Sequence, residues 1–399
     1  MNMPWYGELP ERWETHKVSE LFAERREKVS DTEFAPLSVS KGGVVPQIAT
    51  VAKSNAGDNR KLVRKGDFAI NSRSDRRGSS GVSEYDGSVS LINIVLTPRS
   101  ETNGKYWHYL LKSHNFIEEY YRNGRGIVAD LWTTRLSEMK TIYLPLPPRE
   151  EQDQIVRYLD WKVSLINKLI NAKRRQIALL GEQKHITIKN TVRYTDTCRK
   201  CKIKNLAFFK SGTNLTALQI EDAGDYPVYG GNGLRGYYPE FSHSGEYLLV
   251  GRQGALCGNV HYVNGDFWAT EHAVTVKPNS IAHIKWLYYL LTDMNLNQYS
   301  MAAAQPGLSV EYIVNLPAYF PPYEEQQQIA GYLDVQCERV DKTINKLNEE
   351  ITLFAEYRTR LISDVVTGKL DVHGVVVPEF EVVDDVAEDI EETEENMEE

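Results

Sequence analysis

Pro147-Pro148-Arg149-Glu150-Glu151-Gln152, continued by Ile155, Tyr158, Leu159 and Asp160, returns later as Pro321-Pro322-Tyr323-Glu324-Glu325-Gln326, continued by Ile329, Tyr332, Leu333 and Asp334. Position 321 minus position 147 is 174, and position 334 minus position 160 is 174 again. Identities held in one register over this span mark an internal duplication. Pro-Pro forces an extended entry, and the Glu-Glu pair suits the positive end of a helix dipole. No proline follows for some forty residues in either copy. Long helices are therefore expected to start near Arg149 and near Tyr323.

Both helices carry a heptad-like apolar stripe. In the second copy it runs through Leu333, Cys337, Val340, Ile344, Leu347, Ile351, Phe354, Arg358, Leu361 and Val365. In the first it runs through Leu159, Val163, Ile166, Ile170, Ile177, Leu180 and Ile188, with Lys173 and Lys184 intruding. Steps of three and four are the 3.5-residue period of a coiled coil, whose seam needs a partner helix. The other copy is the obvious partner. A helix of about 44 residues is roughly 66 Å long at 1.5 Å per residue. Lys173 and Lys184 are candidates for places where the pair loosens or meets a partner subunit.

The sequence around the repeats divides accordingly. Residues 1–146 and 197–319 read as two α+β domains, 147–196 and 320–371 as the long helices, and 372–399 as an acidic tail expected to be disordered. The first domain opens with an amphipathic helical pattern from Val18 to Arg26. It continues through strand-like runs at Phe68–Asn71 and Ser90–Leu96 and a helical period from Tyr106 to Tyr121. The second offers strands at Tyr247–Val250 and Ala273–Val276 and a helix from Ile284 to Met294. The two match most clearly where Lys105-Tyr106-Trp107-His108-Tyr109-Leu110-Leu111 parallels Lys285-Trp286-Leu287-Tyr288-Tyr289-Leu290-Leu291.

Composition bounds the function. With 399 residues, 41% of them hydrophobic, the chain can bury more than one core, and no run approaches the ~18 apolar residues of a membrane span. The N-terminus lacks the basic and apolar regions of a signal peptide, so a cytoplasmic protein is expected. The net charge of −9 is dominated by residues 379–399, which hold twelve acids and no Lys or Arg; the remainder carries 46 basic against 43 acidic residues. The tail is expected to be solvated; the alternative is that it shields a basic groove or imitates nucleic acid. Cys198 and Cys201 form a CxxC that Cys257 and His261 would complete as a zinc site, but no second CxxC supports it, and reduced thiols are expected.

No complete active site is readable. Gly231, Gly233 and Gly236 satisfy G-x-G-x-x-G, but Tyr237-Tyr238-Pro239 follows where a dinucleotide site needs a helix, and no Walker-type phosphate loop exists. Phe320-Pro321-Pro322-Tyr323 has phenylalanine where an amino-methyltransferase motif carries asparagine.

Nucleic-acid contact is better supported. Arg60, Lys61, Arg73, Arg76 and Arg77, with Arg64 and Lys65, crowd a polar stretch rich in Ser and Gly, and Arg125 lies in a similar setting. The second domain offers Lys210, Asn214, Asn232, Arg235, Arg252 and Gln253 on glycine-rich backbone. Arginine forks engage base edges, lysines hold phosphates, and bare glycine permits close approach. A solvated loop is the alternative reading of each.

The repeats Leu144-Pro145-Leu146-Pro147-Pro148-Arg149-Glu150-Glu151-Gln152 and Leu316-Pro317-Ala318-Tyr319-Phe320-Pro321-Pro322-Tyr323-Glu324-Glu325-Gln326 resemble the DNA-specificity subunit of type I restriction-modification enzymes. So do Leu9-Pro10-Glu11-Arg12-Trp13, Tyr226-Pro227-Val228-Tyr229-Gly230 and the close Ser363-Asp364-Val365-Val366-Thr367-Gly368-Lys369-Leu370-Asp371-Val372. The resemblance covers residues 1–372; the acidic tail lies outside it. It implies an α+β fold class: two globular target-recognition domains separated by a two-helix antiparallel coiled coil, related by a pseudo-two-fold axis. Each domain would read half of a bipartite site in double-stranded DNA. The helices would dock two methyltransferase subunits that supply S-adenosylmethionine and methylate adenine at N6. Two restriction subunits would add translocation and cleavage with ATP and Mg. The chain itself would bind no cofactor and have no activity. The competing readings are a recognition subunit of an orphan modification system and a coiled-coil scaffold that binds only protein.

Overall fold

A computed structural model describes residues 4–47, 59–99, 102–126, 132–192, 196–254, 256–300 and 307–384. The chain forms two compact units, Met1–Arg175 with Leu347–Glu399 and Gln176–Lys346.

In the first unit, β1 (Phe22–Glu24), β2 (Phe68–Asn71), β3 (Ser80–Val82) and β4 (Asn93–Pro98) make an antiparallel sheet in the order β1-β4-β2-β3. The second unit builds the same order from β5 (Ala207–Ser211), β6 (Tyr247–Gly251), β7 (Val260–Val263) and β8 (Ala273–Pro278), as β5-β8-β6-β7. A two-stranded antiparallel ribbon also recurs, joining Glu14–Lys17 to Tyr143–Leu146 in one unit and Arg199–Lys202 to Pro317–Phe320 in the other. The duplication thus extends to topology that the diverged sequences no longer display.

Both long helices start where the motif places them: α2 spans Arg149–Val192 and α4 spans Tyr323–Val366. The motif glutamine explains the start. Gln152 is buried, donates Nε2 to the Pro147 carbonyl (2.9 Å), and accepts at Oε1 from the Asn103 N–H (3.1 Å). Asn103 is the N-cap of α1 (Gly104–Lys112). Gln326 repeats this with Pro321 (2.9 Å) and the His283 N–H (2.7 Å), and His283 caps α3 (Ile284–Asp293). One amide thus ties the entry of each long helix to the entry of the short helix packed on it. About two turns later, Tyr109 donates to Asp160 (2.8 Å) and Tyr289 to Asp334 (2.6 Å). These shared contacts account for the motif's survival in both copies.

Within each unit the two long helices run antiparallel. In the first, Asn167 of α2 accepts from Arg358 of α4 (2.6 Å), Lys173 pairs with Glu350, and the apolar stripe residues Ile166, Ile170, Leu361 and Val365 are buried together. In the second, Ile188 packs in a core with Leu333 and Cys337, and Lys184 pairs with Asp341 (2.7 Å). Each buried aliphatic side chain contributes about 1.5–3 kcal/mol. Lys173 and Lys184 therefore do not mark loosening: each meets an acid of the facing helix.

Four local expectations change. The helix expected over Val18–Arg26 stops at Leu21, because Phe22–Glu24 pairs with β4 and buries Phe22. The strand expected at Ser90–Leu96 begins at Asn93, after a turn closed by the Asn93 N–H on the Ser90 carbonyl (3.1 Å). The helical stretch from Tyr106 to Tyr121 breaks at Ser113, whose hydroxyl accepts from the Phe116 N–H and caps a second helix, His114–Arg122. The tail expected to be loose from residue 372 is laid along α2 over 372–384; residues 385–399 lie outside the described residues.

Candidate nucleic-acid interface

In the first unit three segments distant in sequence form one layer. The Arg125 and Thr133 backbones exchange two hydrogen bonds of 3.0 Å, Ser74 N–H donates to the Trp132 carbonyl (3.1 Å), and Thr134 N–H donates to the Ser72 carbonyl (2.9 Å). This weave joins the backbone segments that carry Arg73, Arg76, Arg77 and Arg125, and Arg77 and Arg122 line one cleft. Arg73 and Arg77 are exposed and Arg76 half-buried. Arg77 is held by Glu118 and lies over the Tyr121 ring, 5.4 Å from its centroid. Arg122 pairs with Glu119 (2.6 Å), and Arg125 stands 3.7 Å from Glu138. A cleft of about 660 Å³ opens here, walled by Trp5, Arg77, Tyr121 and Trp132. Guanidiniums set beside aromatic faces suit phosphate and base contacts. Trp5 and Tyr121 were not singled out from sequence; their aromatic character was the only signal.

Arg60 and Lys61 lie elsewhere. Arg60 is 8% exposed, with Nε on the Ser88 hydroxyl (2.9 Å) and Nη2 on the Ser88 carbonyl (2.9 Å). Lys61 donates to the Asn93 carbonyl (2.7 Å), and burial pushes its ammonium below the usual lysine range. Both hold their own sheet together. A count of basic residues along the chain cannot separate such inward residues from outward ones.

In the second unit the candidate residues come from several loops. Arg252 reaches the Ser211 hydroxyl (3.4 Å) at the end of β5, its backbone N–H meets the His272 carbonyl (2.9 Å), and Asn259 donates to Asn232 (3.1 Å). Gly231 and Gly251 approach so closely that a Cβ on Gly251 would lie 2.0 Å from the Gly231 carbonyl. This packing sets Asn232 beside Arg252 and Gln253. Lys210 and Asn214 are exposed before and after the end of β5 at Ser211. Arg235 is exposed on the strand Gly233–Tyr238, which forms a hairpin with Tyr226–Gly230, so the G-x-G-x-x-G glycines shape a hairpin and not a strand-to-helix turn. Cys201, Cys257 and Cys337 are free thiols, and among the described residues no group of three or more His, Cys, Asp or Glu could hold a metal ion. No described helix is long and apolar enough to cross a membrane.

The family model for the type I restriction modification DNA specificity domain matches residues 10–179 and again 196–353. The chain is 46% identical over 144 residues to the EcoprrI type I restriction enzyme specificity subunit of Escherichia coli, covering 35% of each chain. It is 27% identical over 115 residues to a putative type I restriction enzyme specificity subunit, S.HindORF215P, of Haemophilus influenzae, covering 28% of this chain and 30% of that one. The chain thus spans about a third of the length of these curated relatives. A chain from a solved structure on complex assembly and conformational transition of the type I R-M system superposes with a TM-score of 0.66 at 16% identity, over 91% of this chain and all of that one, which shows the shared fold. Two matches of one family model, one over each copy of the internal repeat and together covering most of the sequence, place this chain in the type I restriction-modification DNA specificity family.

Proposed function

We propose that this chain is the non-catalytic, sequence-reading subunit of a cytoplasmic type I restriction-modification complex. In this reading residues 1–146 and 197–319 are the two target-recognition domains, each contacting one half of a bipartite, asymmetric site in double-stranded DNA. The long helices of 147–196 and 320–371 set the gap between the half-sites and dock two methyltransferase subunits. Restriction subunits, where present, join the same complex. The observation that carries the reading is the joining of the separated segments that carry the exposed Arg73, Arg77 and Arg125 by backbone hydrogen bonds in the first unit, with a second polar and cationic loop cluster in the other.

Partner docking is supported by apolar side chains left exposed on the long helices: Leu165 (45%), Leu169 (42%), Leu353 (63%) and Tyr357 (54%) in the first unit, and Leu179 (65%), Tyr332 (52%) and Val335 (62%) in the second. Leu165 and Leu169 lie one turn apart on α2, and exposed apolar side chains that gather on one face, unlike single ones, mark interaction surfaces. S-adenosylmethionine, ATP and magnesium belong to the partners in this account. The glycine-rich stretch at 230–236 belongs to a hairpin and lacks the strand-to-helix turn of a dinucleotide motif.

Filter binding of duplex DNA against salt tests the proposal. Affinity should fall steeply with salt, and Arg73→Ala and Arg77→Ala should each lower the slope by about 0.9, the value for one lost phosphate contact. Arg60→Ala should leave the slope unchanged while lowering stability by about 2–3 kcal/mol, because it strands buried acceptors. The absence of sequence-selective retention would point to a scaffold that binds only protein.

A further inference from the structure

The two units match each other beyond their sheets. The cross-strand partners Phe68 and Leu96 correspond to Leu248 and Val276, and Asn71 and Asn93 to Gly251 and Ala273, since 248 minus 68 and 273 minus 93 are both 180. The loop from β2 to β3, 72–79, and the loop from β6 to β7, 252–259, therefore correspond residue by residue. Their main chains close in the same way. Asn71 N–H donates to the Ser79 carbonyl (2.9 Å) and Gly251 N–H to the Asn259 carbonyl (3.0 Å); Ser79 N–H donates to the Arg76 carbonyl (3.1 Å) and Asn259 N–H to the Leu256 carbonyl (3.3 Å). Gly78 and Gly258 end the loops in the left-handed conformation, with φ of +85° and +91°.

A second segment floors each loop. Thr134 N–H donates to the Ser72 carbonyl and Leu308 N–H to the Arg252 carbonyl, 2.9 Å each, and antiparallel bridges set Arg73 opposite Thr133 and Gln253 opposite Gly307. Here 307 minus 133 and 308 minus 134 are both 174, the offset of the helix motif. Positions 73 and 253 are thus one place in two copies of the same scaffold, and main-chain bonds on both sides give them the same backbone course. Both side chains are exposed, and among the described residues neither the Arg73 guanidinium nor the Gln253 amide has a hydrogen-bonding or ionic partner. Their neighbours are engaged: Arg77 is held by Glu118, and Arg252 reaches the Ser211 hydroxyl (3.4 Å). A planar side chain free at its tip on a tied backbone suits base reading. Arginine fits O6 and N7 of guanine, and glutamine fits N6 and N7 of adenine.

We infer that positions 73 and 253 are the equivalent specificity-determining positions of the two units: Arg73 selects a guanine in one half-site and Gln253 an adenine in the other. The base assignment rests on the DNA-reading function; the equivalence of the loops does not. Because both loops hang on the same main-chain bonds, exchanging the side chain exchanges the preferred base without moving the loop. Arg73 carries its charge into the groove whatever it touches, so the salt slope still counts it, and base preference is a separate readout.

The experiment expresses the wild-type chain, Arg73→Gln and Gln253→Arg, each with its methyltransferase subunits, in a host without adenine methylation, and maps the methylated motif by sequencing. Arg73→Gln should change one pair, G·C in the wild-type motif, toward A·T in one half-site. Gln253→Arg should change one pair, A·T in the wild-type motif, toward G·C in the other. Selectivity at each pair should shift by at least about fivefold, the lower end for one bidentate contact. The unaltered half-site in each variant shows that the complex folds and assembles. For a variant that methylates too weakly to map, filter binding of the purified full chain to duplexes with each pair of the motif changed in turn reads the same selectivity. A motif identical to that of the wild type, or a uniform loss across all duplexes, overturns the role of the residue replaced. Changes from both variants in one half-site overturn the correspondence of the two readers, and a change at a pair of the wrong wild-type identity overturns the base assignment. Methylation that is the same with and without the wild-type gene removes the DNA-reading function, and the base assignment with it.

Discussion

Replacing Gln326 by leucine tests the physical reason for the repeat. The side chain is 0% exposed and makes three contacts, accepting from the His283 N–H (2.7 Å) and donating to the Ile281 and Pro321 carbonyls (2.9 Å each). Leucine keeps the volume and removes every partner. A buried group left unsatisfied costs about 1–3 kcal/mol, so the lower end summed over three groups gives a loss of about 3 kcal/mol. The unit involved, Gln176–Lys346, has 171 residues, since 346 minus 175 is 171. For that size one kcal/mol shifts Tm by about 2–4 °C, so the melting temperature should fall by about 6–12 °C. Gln152→Leu removes two contacts in the first unit and should cost about 2 kcal/mol. Differential scanning calorimetry, with urea melts to check that the m-value is unchanged, reads both. A shift below about 2 °C for Gln326→Leu would refute the account of the motif as a clamp between helix entries.

Acid stability and half-site spacing give two further expected outcomes. His108 is held neutral by burial, with its pKa near 3 in the folded chain. The unfolded chain binds the proton from about pH 6.5 downward, so stability is intact above that pH and declines as pH falls toward 3. The loss between pH 7 and 5 should be about 2 kcal/mol, and His108→Gln should flatten this part of the profile in urea melts. Inserting four residues into α2 or α4 should move the residues beyond the insertion by about 6 Å and rotate them by about 40°, and so change the tolerated gap between half-sites in a methylation assay; an unaltered gap contradicts helix length as the ruler.

The parts of the fold that were legible in sequence are those fixed locally. Pro-Pro forbids helix on one side, Glu-Glu favours it on the other, and the stripe from Leu333 to Val365 states which face is buried, so α2 and α4 begin at the expected residues. The intrusions Lys173 and Lys184 were visible, but their partners Glu350 and Asp341 were not, because each pairing joins positions more than 150 residues apart. The short elements gave way to tertiary contacts: Phe22 left a helical pattern to pair with β4, and Ser113 capped a new helix inside another. At the candidate interface Arg73 and Arg60 look alike in sequence, yet one lies on the surface while the other is sealed against Ser88, and only the sheet decides which. The equivalence of the loops 72–79 and 252–259 had no sequence signature, since only Gly78 and Gly258 match along them.

The central claim is that one duplicated chain reads DNA at two places and leaves the chemistry to its partners. Mapping adenine methylation across the encoding genome, with this gene present and with it deleted, tests that most directly. The account predicts one interrupted motif with two unlike halves, methylated only when the gene is present. Unchanged methylation on deletion, or the loss of a single uninterrupted motif, would contradict it.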